Sequence, residues 1–117
     1  MSRVTIYHNP RCSKSRQTLK LLEENDVAHD VVLYLETPPS ESELAIILKK
    51  LEMPARGLLR KGEAAYGEKN LADPTLSDED LIAAMVSTPI LIERPIVVSG
   101  NQAKIGRPPE QVLEIVN

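Results

Sequence analysis

Val4-Thr5-Ile6-Tyr7-His8-Asn9-Pro10-Arg11-Cys12-Ser13-Lys14-Ser15-Arg16 begins as a strand and becomes a helix at a cysteine. Val4 to Tyr7 is a short β-type run that Asn9-Pro10 closes. From Ser13 to about Glu24, Leu19, Leu21 and Leu22 sit among charged residues as on one face of a helix, and Asn25-Asp26 ends it. Val31 to Leu35 is a near-continuous apolar run, the pattern of a strand buried on both faces. A β-α-β opening requires parallel strands, because the helix carries the chain back to the starting edge. Cys12 then lies at a strand-to-helix turn.

Further along, Ser40-Glu41-Ser42-Glu43 is a capping box, followed by Leu44, Ile47, Leu48 and Leu51 at helical spacing. A short helical turn is expected around Ala55 to Arg60. Ser77 and Asp80 form a second box before Leu81, Ile82, Met85 and Val86. Ile96 to Val98 and Ala103 to Ile105 flank Ser99-Gly100-Asn101 and read as a β-hairpin. Pro108-Pro109 opens a last helix carrying Val112, Leu113 and Val116, proline being tolerated in a first turn. The order β-α-β, helices, β-β-α defines an α/β, thioredoxin-like fold with an inserted helical subdomain. We expect one domain over residues 1–117, with the insertion at about 40–88.

The loop around Cys12 carries the chemistry. A cysteine at a helix N-terminus lies among free backbone N–H groups and at the positive end of the helix dipole, which favours thiolate over thiol. Arg11, Lys14 and Arg16 add positive charge, and Ser13 and Ser15 can donate hydrogen bonds to a thiolate or an oxyanion. So many polar neighbours argue against the buried, inert thiol that free cysteine usually is. Ser15 stands where a second cysteine would complete Cys-x-x-Cys, so an internal dithiol is excluded. The phosphatase loop needs arginine six places after its cysteine, where this chain has Thr18. One cysteine with His8 and His29 on different elements lacks the spacing of a zinc site, and no metal is expected.

Composition bounds the rest. The chain has 117 residues, 42% hydrophobic but with three Tyr and no Phe or Trp, so Leu, Ile and Val must build its core. A net charge of -3 gives no general attraction to nucleic acid or an anionic membrane. No run approaches the ~20 apolar residues of a membrane span, and nothing resembles a signal peptide. A lone cysteine cannot staple a secreted fold, so the expected compartment is the reducing cytoplasm.

Taken together, Tyr7-His8-Asn9-Pro10-x-Cys12-x-x-Ser15-Arg16, Leu33-Tyr34-Leu35-Glu36-Thr37-Pro38, Leu58-Leu59-Arg60-Lys61, Arg94-Pro95-Ile96-Val97-Val98 and Gly106-Arg107-Pro108 resemble the glutaredoxin-linked arsenate reductase family. The resemblance runs in order along essentially the whole chain. Its Ser13-Lys14, where the best-known members have Gly-Thr, and its shorter C-terminus place it closer to a short-chain, less characterised branch. The resemblance implies a thioredoxin-like oxidoreductase of arsenic detoxification, in which the cysteine matching Cys12 attacks arsenate. Arg60, Arg94 and Arg107 match the arginines that hold the oxyanion. His8 and Ser15 match positions beside the thiol, Arg16 adds charge to the same loop, and Pro95 matches the fold's cis-proline. It further implies no bound cofactor, glutathione as co-substrate and glutaredoxin as the protein partner. Arginine suits this task because its planar fork donates paired hydrogen bonds and stays charged. Two other readings remain open: a thioredoxin-fold oxidoreductase for another, glutathionylated substrate, and a non-enzymatic redox or stress regulator that binds RNA polymerase.

Overall fold

The computed structural model describes residues 3–116, which divide into two compact units. One takes the described residues up to Thr37 and from Arg94 onward; the other is Pro38–Glu93.

The first unit is built on a four-stranded sheet. Strand β1 (Val4–Tyr7) alternates buried and half-buried residues, and helix α1 (Ser13–Glu24) follows it. Strand β2 (His29–Val32) returns parallel to β1, with Val4 opposite His29 and Tyr7 opposite Val32. Strands β3 (Ile96–Ser99) and β4 (Gln102–Ile105) form the hairpin, turning at Gly100 with φ +58°, a conformation glycine adopts without steric cost. β3 runs antiparallel to β1, pairing Val97 with Ile6, so the sheet order is β2-β1-β3-β4. Val4 and Ile6 of β1, Leu22 of α1, Val97 of β3 and Val112 close one core, with Leu19, Val27 and Val116 packed at its margin. Small aliphatic residues therefore do what aromatic rings do in most domains of this size.

Two expectations change here. The second strand lies at 29–32 rather than 31–35, and it is a sheet edge. Val31 keeps 44% of its surface exposed, so the apolar run does not mark a strand covered on both faces. The last segment, Pro109–Glu114, is a 3-10 helix instead of an α-helix, closed by Gln111 N–H on Pro108 O at 3.1 Å and Ile115 N–H on Val112 O at 3.2 Å. The segment is six residues long with Pro109 at its start, and it stays in the tighter i→i+3 pattern of short helical pieces.

The helical unit contains α2 (Glu41–Leu51), α3 (Ala55–Leu58), α4 (Ala64–Glu68) and α5 (Asp78–Ser87). Both capping boxes form: Glu43 N–H donates to Ser40 Oγ at 3.1 Å while Ser40 N–H donates to Glu43 Oε1 at 2.9 Å, and Ser77 and Asp80 repeat the exchange. Hydrogen bonding to Ser40 holds the Glu43 carboxyl below its ordinary range, and Thr75 does the same for Asp73. Helix α4 has no buried residue, so no apolar stripe announced it in the sequence. None of the helices is long and apolar enough to cross a membrane.

Candidate active site

Cys12 is the N-cap of α1, with extended backbone (φ −97°, ψ 122°), and its carbonyl accepts the Arg16 N–H at 3.0 Å. Its own N–H donates to Asn9 O at 3.0 Å and closes the turn that brings the chain from β1 into the helix. Asn9 organises this loop. Its Oδ1 accepts the Arg11 N–H at 3.0 Å, and its N–H donates to Ser15 Oγ at 3.0 Å. In the sequence Asn9 marks the end of a strand, and an asparagine before proline is a turn signal in its own right.

Cys12 is only 8% exposed, against the expectation drawn from its polar neighbours. Helical spacing explains the difference. Cys12, Ser15, Thr18 and Leu22 recur every three or four residues and are buried, while Arg11, Ser13, Lys14 and Arg16 face solvent. The charges describe the outer face of the turn, and the sulfur belongs to the inner one.

His8, Ser15, Arg16, Arg94, Pro95 and Arg107, six of the sequence-selected residues, belong to the same unit as Cys12, and Arg107 reaches its sulfur. Arg107 directs Nη2–H toward Cys12 Sγ at 3.7 Å, and its Nε–H donates to Arg94 O at 2.9 Å, so the guanidinium is held from behind while it faces the thiol. Arg94 is itself buried. Ser15 Oγ lies 2.6 Å from His8 Nδ1. Burial, and then the charge of Arg16, push the His8 pKa below 6.5, so its ring is neutral near pH 7. Arg16 does not approach the sulfur: its Nη1–H donates to Pro10 O at 2.8 Å and ties the first helical turn back to the loop. The Arg94–Pro95 and Arg107–Pro108 peptide bonds are both cis. Gly106, between β4 and Arg107, sits where a Cβ would fall on the Thr18 hydroxyl and within 2.8 Å of Pro95 Cγ. Only glycine lets the chain pass that close, which sets where Arg107 emerges.

Arg60 belongs to the helical unit and is engaged there by carboxylates, Glu63 at 2.6 Å and Glu93 at 3.9 Å. His29 is the first residue of β2, with Nδ1 2.8 Å from Val27 O. Among the described residues, no three His, Cys, Asp or Glu side chains gather as a metal site. The arrangement offers one sulfur nucleophile, helix N-terminal N–H groups and a fixed guanidinium, a seat for an anion that reacts at sulfur.

A parallel β-α-β unit with its thiol at the helix N-terminus and a cis-proline leading into the antiparallel hairpin makes this a thioredoxin-like thiol protein. Its sequence narrows the class: residues 7–115 match the ArsC family, and the chain belongs to that family. It is 63% identical over 114 residues to the Escherichia coli (strain K12) protein named uncharacterized protein YfgD, covering 97% of this chain and 96% of that one. It is 47% identical over 113 residues to an arsenate reductase of Neisseria meningitidis serogroup B, covering 96% and 97%. The solved structure of an arsenate reductase from Vibrio cholerae superposes with a TM-score of 0.94 at 55% identity, over 97% of each chain.

Proposed function

We propose that this protein reduces arsenate to arsenite in the reducing cytoplasm, with Cys12 as nucleophile and glutathione and glutaredoxin as electron donors. The observation that carries the proposal is the Arg107 guanidinium held 3.7 Å from the only cysteine sulfur by the Arg94 carbonyl. Relatives named arsenate reductase, at 46–47% identity over nearly the whole chain, support it.

Cys12 attacks arsenate, an S–As bond forms, and one As–O bond breaks with its oxygen leaving as water. Arg94 and Arg107 balance the charge of the oxyanion. Glutathione thiolate then adds to arsenic and displaces a second oxygen as water. Glutaredoxin thiolate attacks the glutathione sulfur, making a disulfide and leaving the electron pair on arsenic, which becomes As(III). Water releases arsenite and returns the Cys12 thiol. Two thiols thus supply the two electrons, as a chain with one cysteine requires. Phosphate offers no such reducible centre, so a thiol-only site selects by redox chemistry as well as by shape.

The test is arsenate-dependent NADPH oxidation with glutathione, glutaredoxin and glutathione reductase. Turnover by the wild type and none by Cys12→Ser supports the proposal. Turnover that survives Cys12→Ser, or none from folded wild type, removes it.

A further inference from the structure

Beside the thiol loop, on its β2 side, lies a cleft that the reaction with arsenate does not use. It has a volume of about 360 Å³ and is bounded by His8, Asn9, Pro10 and Arg11 on one side and by Leu33, Leu35 and Glu36 on the other. It therefore opens beyond the carboxyl ends of the parallel strands β1 and β2, the end at which α/β sheets present their ligand sites. Its far wall is unusual for a surface. Leu33 and Leu35 are 36% and 39% exposed, while Tyr34 between them is buried, so the outward residues of this stretch are aliphatic where polar ones are the norm. At its rim stand one cation, Arg11, and one anion, Glu36; among the described residues neither side chain has an ion-pair partner.

We propose that this cleft seats the thiol co-substrate, a small peptide thiol that carries both a free ammonium and carboxylates, as glutathione does. The inference rests on the preceding reading only for the identity of the donor. Glu36 faces the ammonium and Arg11 a carboxylate, and Leu33, Leu35 and Pro10 cover the aliphatic part of the peptide. The volume falls within the range of small-ligand pockets, ~300–1,000 Å³. Position supports the same occupant: Arg11 is the chain neighbour of Cys12, and the Asn9 carbonyl that accepts the Cys12 N–H belongs to the same wall, so the cleft adjoins the loop that carries the thiol.

Glutathione disulfide tests the cleft without arsenate. Cys12 thiolate attacks one of its sulfurs, the S–S bond breaks, Cys12–S–SG forms and glutathione thiolate leaves. Hydroxyethyl disulfide undergoes the same exchange but carries no charge. The readout is the ratio of the two rates, followed by intact mass, in wild type, Glu36→Lys and Leu35→Ser. Both positions are exposed, and a thermal melt confirms that each variant is folded. The ratio should fall about tenfold in Glu36→Lys, where attraction for the ammonium becomes repulsion, and about threefold in Leu35→Ser. Ratios within twofold of wild type in both variants would overturn the proposal. So would an unchanged ratio with a raised KM for glutaredoxin, which would assign the aliphatic wall to the protein donor instead. If the wild type reduced no arsenate, the proposed activity would fall, yet these ratios would still decide the cleft.

Discussion

Arg107 and Arg60 both match arginines of the family pattern, yet the two units treat them differently. In the sheet unit, Arg107 donates Nε–H to the Arg94 carbonyl and turns Nη2–H toward the Cys12 sulfur, so its fork is aimed at the nucleophile. In the helical unit, Glu63 and Glu93 already balance Arg60. A matched residue type therefore marks a position, and the partner that holds it determines whether its charge can act on a substrate. An anion reaching Arg60 must compete with two carboxylates, whereas Arg107 already stands at the sulfur where an anion would react.

The largest expected effect follows from that contrast. Arg107→Ala should lower kcat/KM for arsenate roughly tenfold to a hundredfold, the loss of a charge-assisted donor worth ~1.5–3 kcal/mol. Arg107→Lys should recover only part, since the charge stays while the paired fork is lost. Arg60→Ala should cost less than Arg107→Ala, and steady-state kinetics on the three variants decide the ranking. Equal losses for Arg60→Ala and Arg107→Ala would break the comparison.

Packing gives the second contrast. Gly106→Ala drives a Cβ into Thr18 and Pro95, and overpacking of this kind costs ~1–3 kcal/mol. Gly62 in the helical unit has open space at the same place, so Gly62→Ala should change stability by no more than ~1 kcal/mol. Urea midpoints at equal m-values measure both. If Gly106→Ala were neutral, the account of how Arg107 is placed would need revision.

The smallest effect separates the units by pH. The folded pKa of His8 lies below its unfolded value of 6.5, so the unfolded chain binds more protons in between. The contribution of His8 is fully present above pH 6.5 and is lost as pH falls below it. Glu43 and Asp73 in the helical unit also have depressed folded values, below 4.5 and 3.8, so their contributions are lost only at lower pH. His8→Asn should flatten the stability curve from about pH 7 to 5 and leave the acid limb unchanged. An unaltered slope in the upper window would mean that the buried imidazole is not what senses it.

Much of this was legible in the sequence because local chemistry wrote it there. Val4–Tyr7, the α1 span Ser13–Glu24 and both capping boxes follow from periodicity and short-range hydrogen bonds, and all stand where the residues put them. The edge position of β2 was not legible, since Val31 and Leu33 look like core residues until the strand order is known. Nor was the inward turn of Cys12, which the charge of its neighbours hides. Asn9 was missed because its work is done by backbone groups as much as by its side chain. Of the carboxylates on Arg60, Glu93 was hidden by its thirty-three-residue separation, whereas Glu63, three residues on, stands at a spacing that the sequence does show.

The central claim is that Cys12 sulfur bonds directly to arsenic with Arg107 beside it. Intact-mass spectrometry of the protein incubated with arsenate and glutathione, without glutaredoxin, tests it most directly. The account predicts an arsenic-bearing adduct that peptide mapping places on Cys12, sharply reduced in Arg107→Ala and absent in Cys12→Ser. Wild-type protein that reduces arsenate in the complete assay while Cys12 carries no arsenic under these conditions would contradict it.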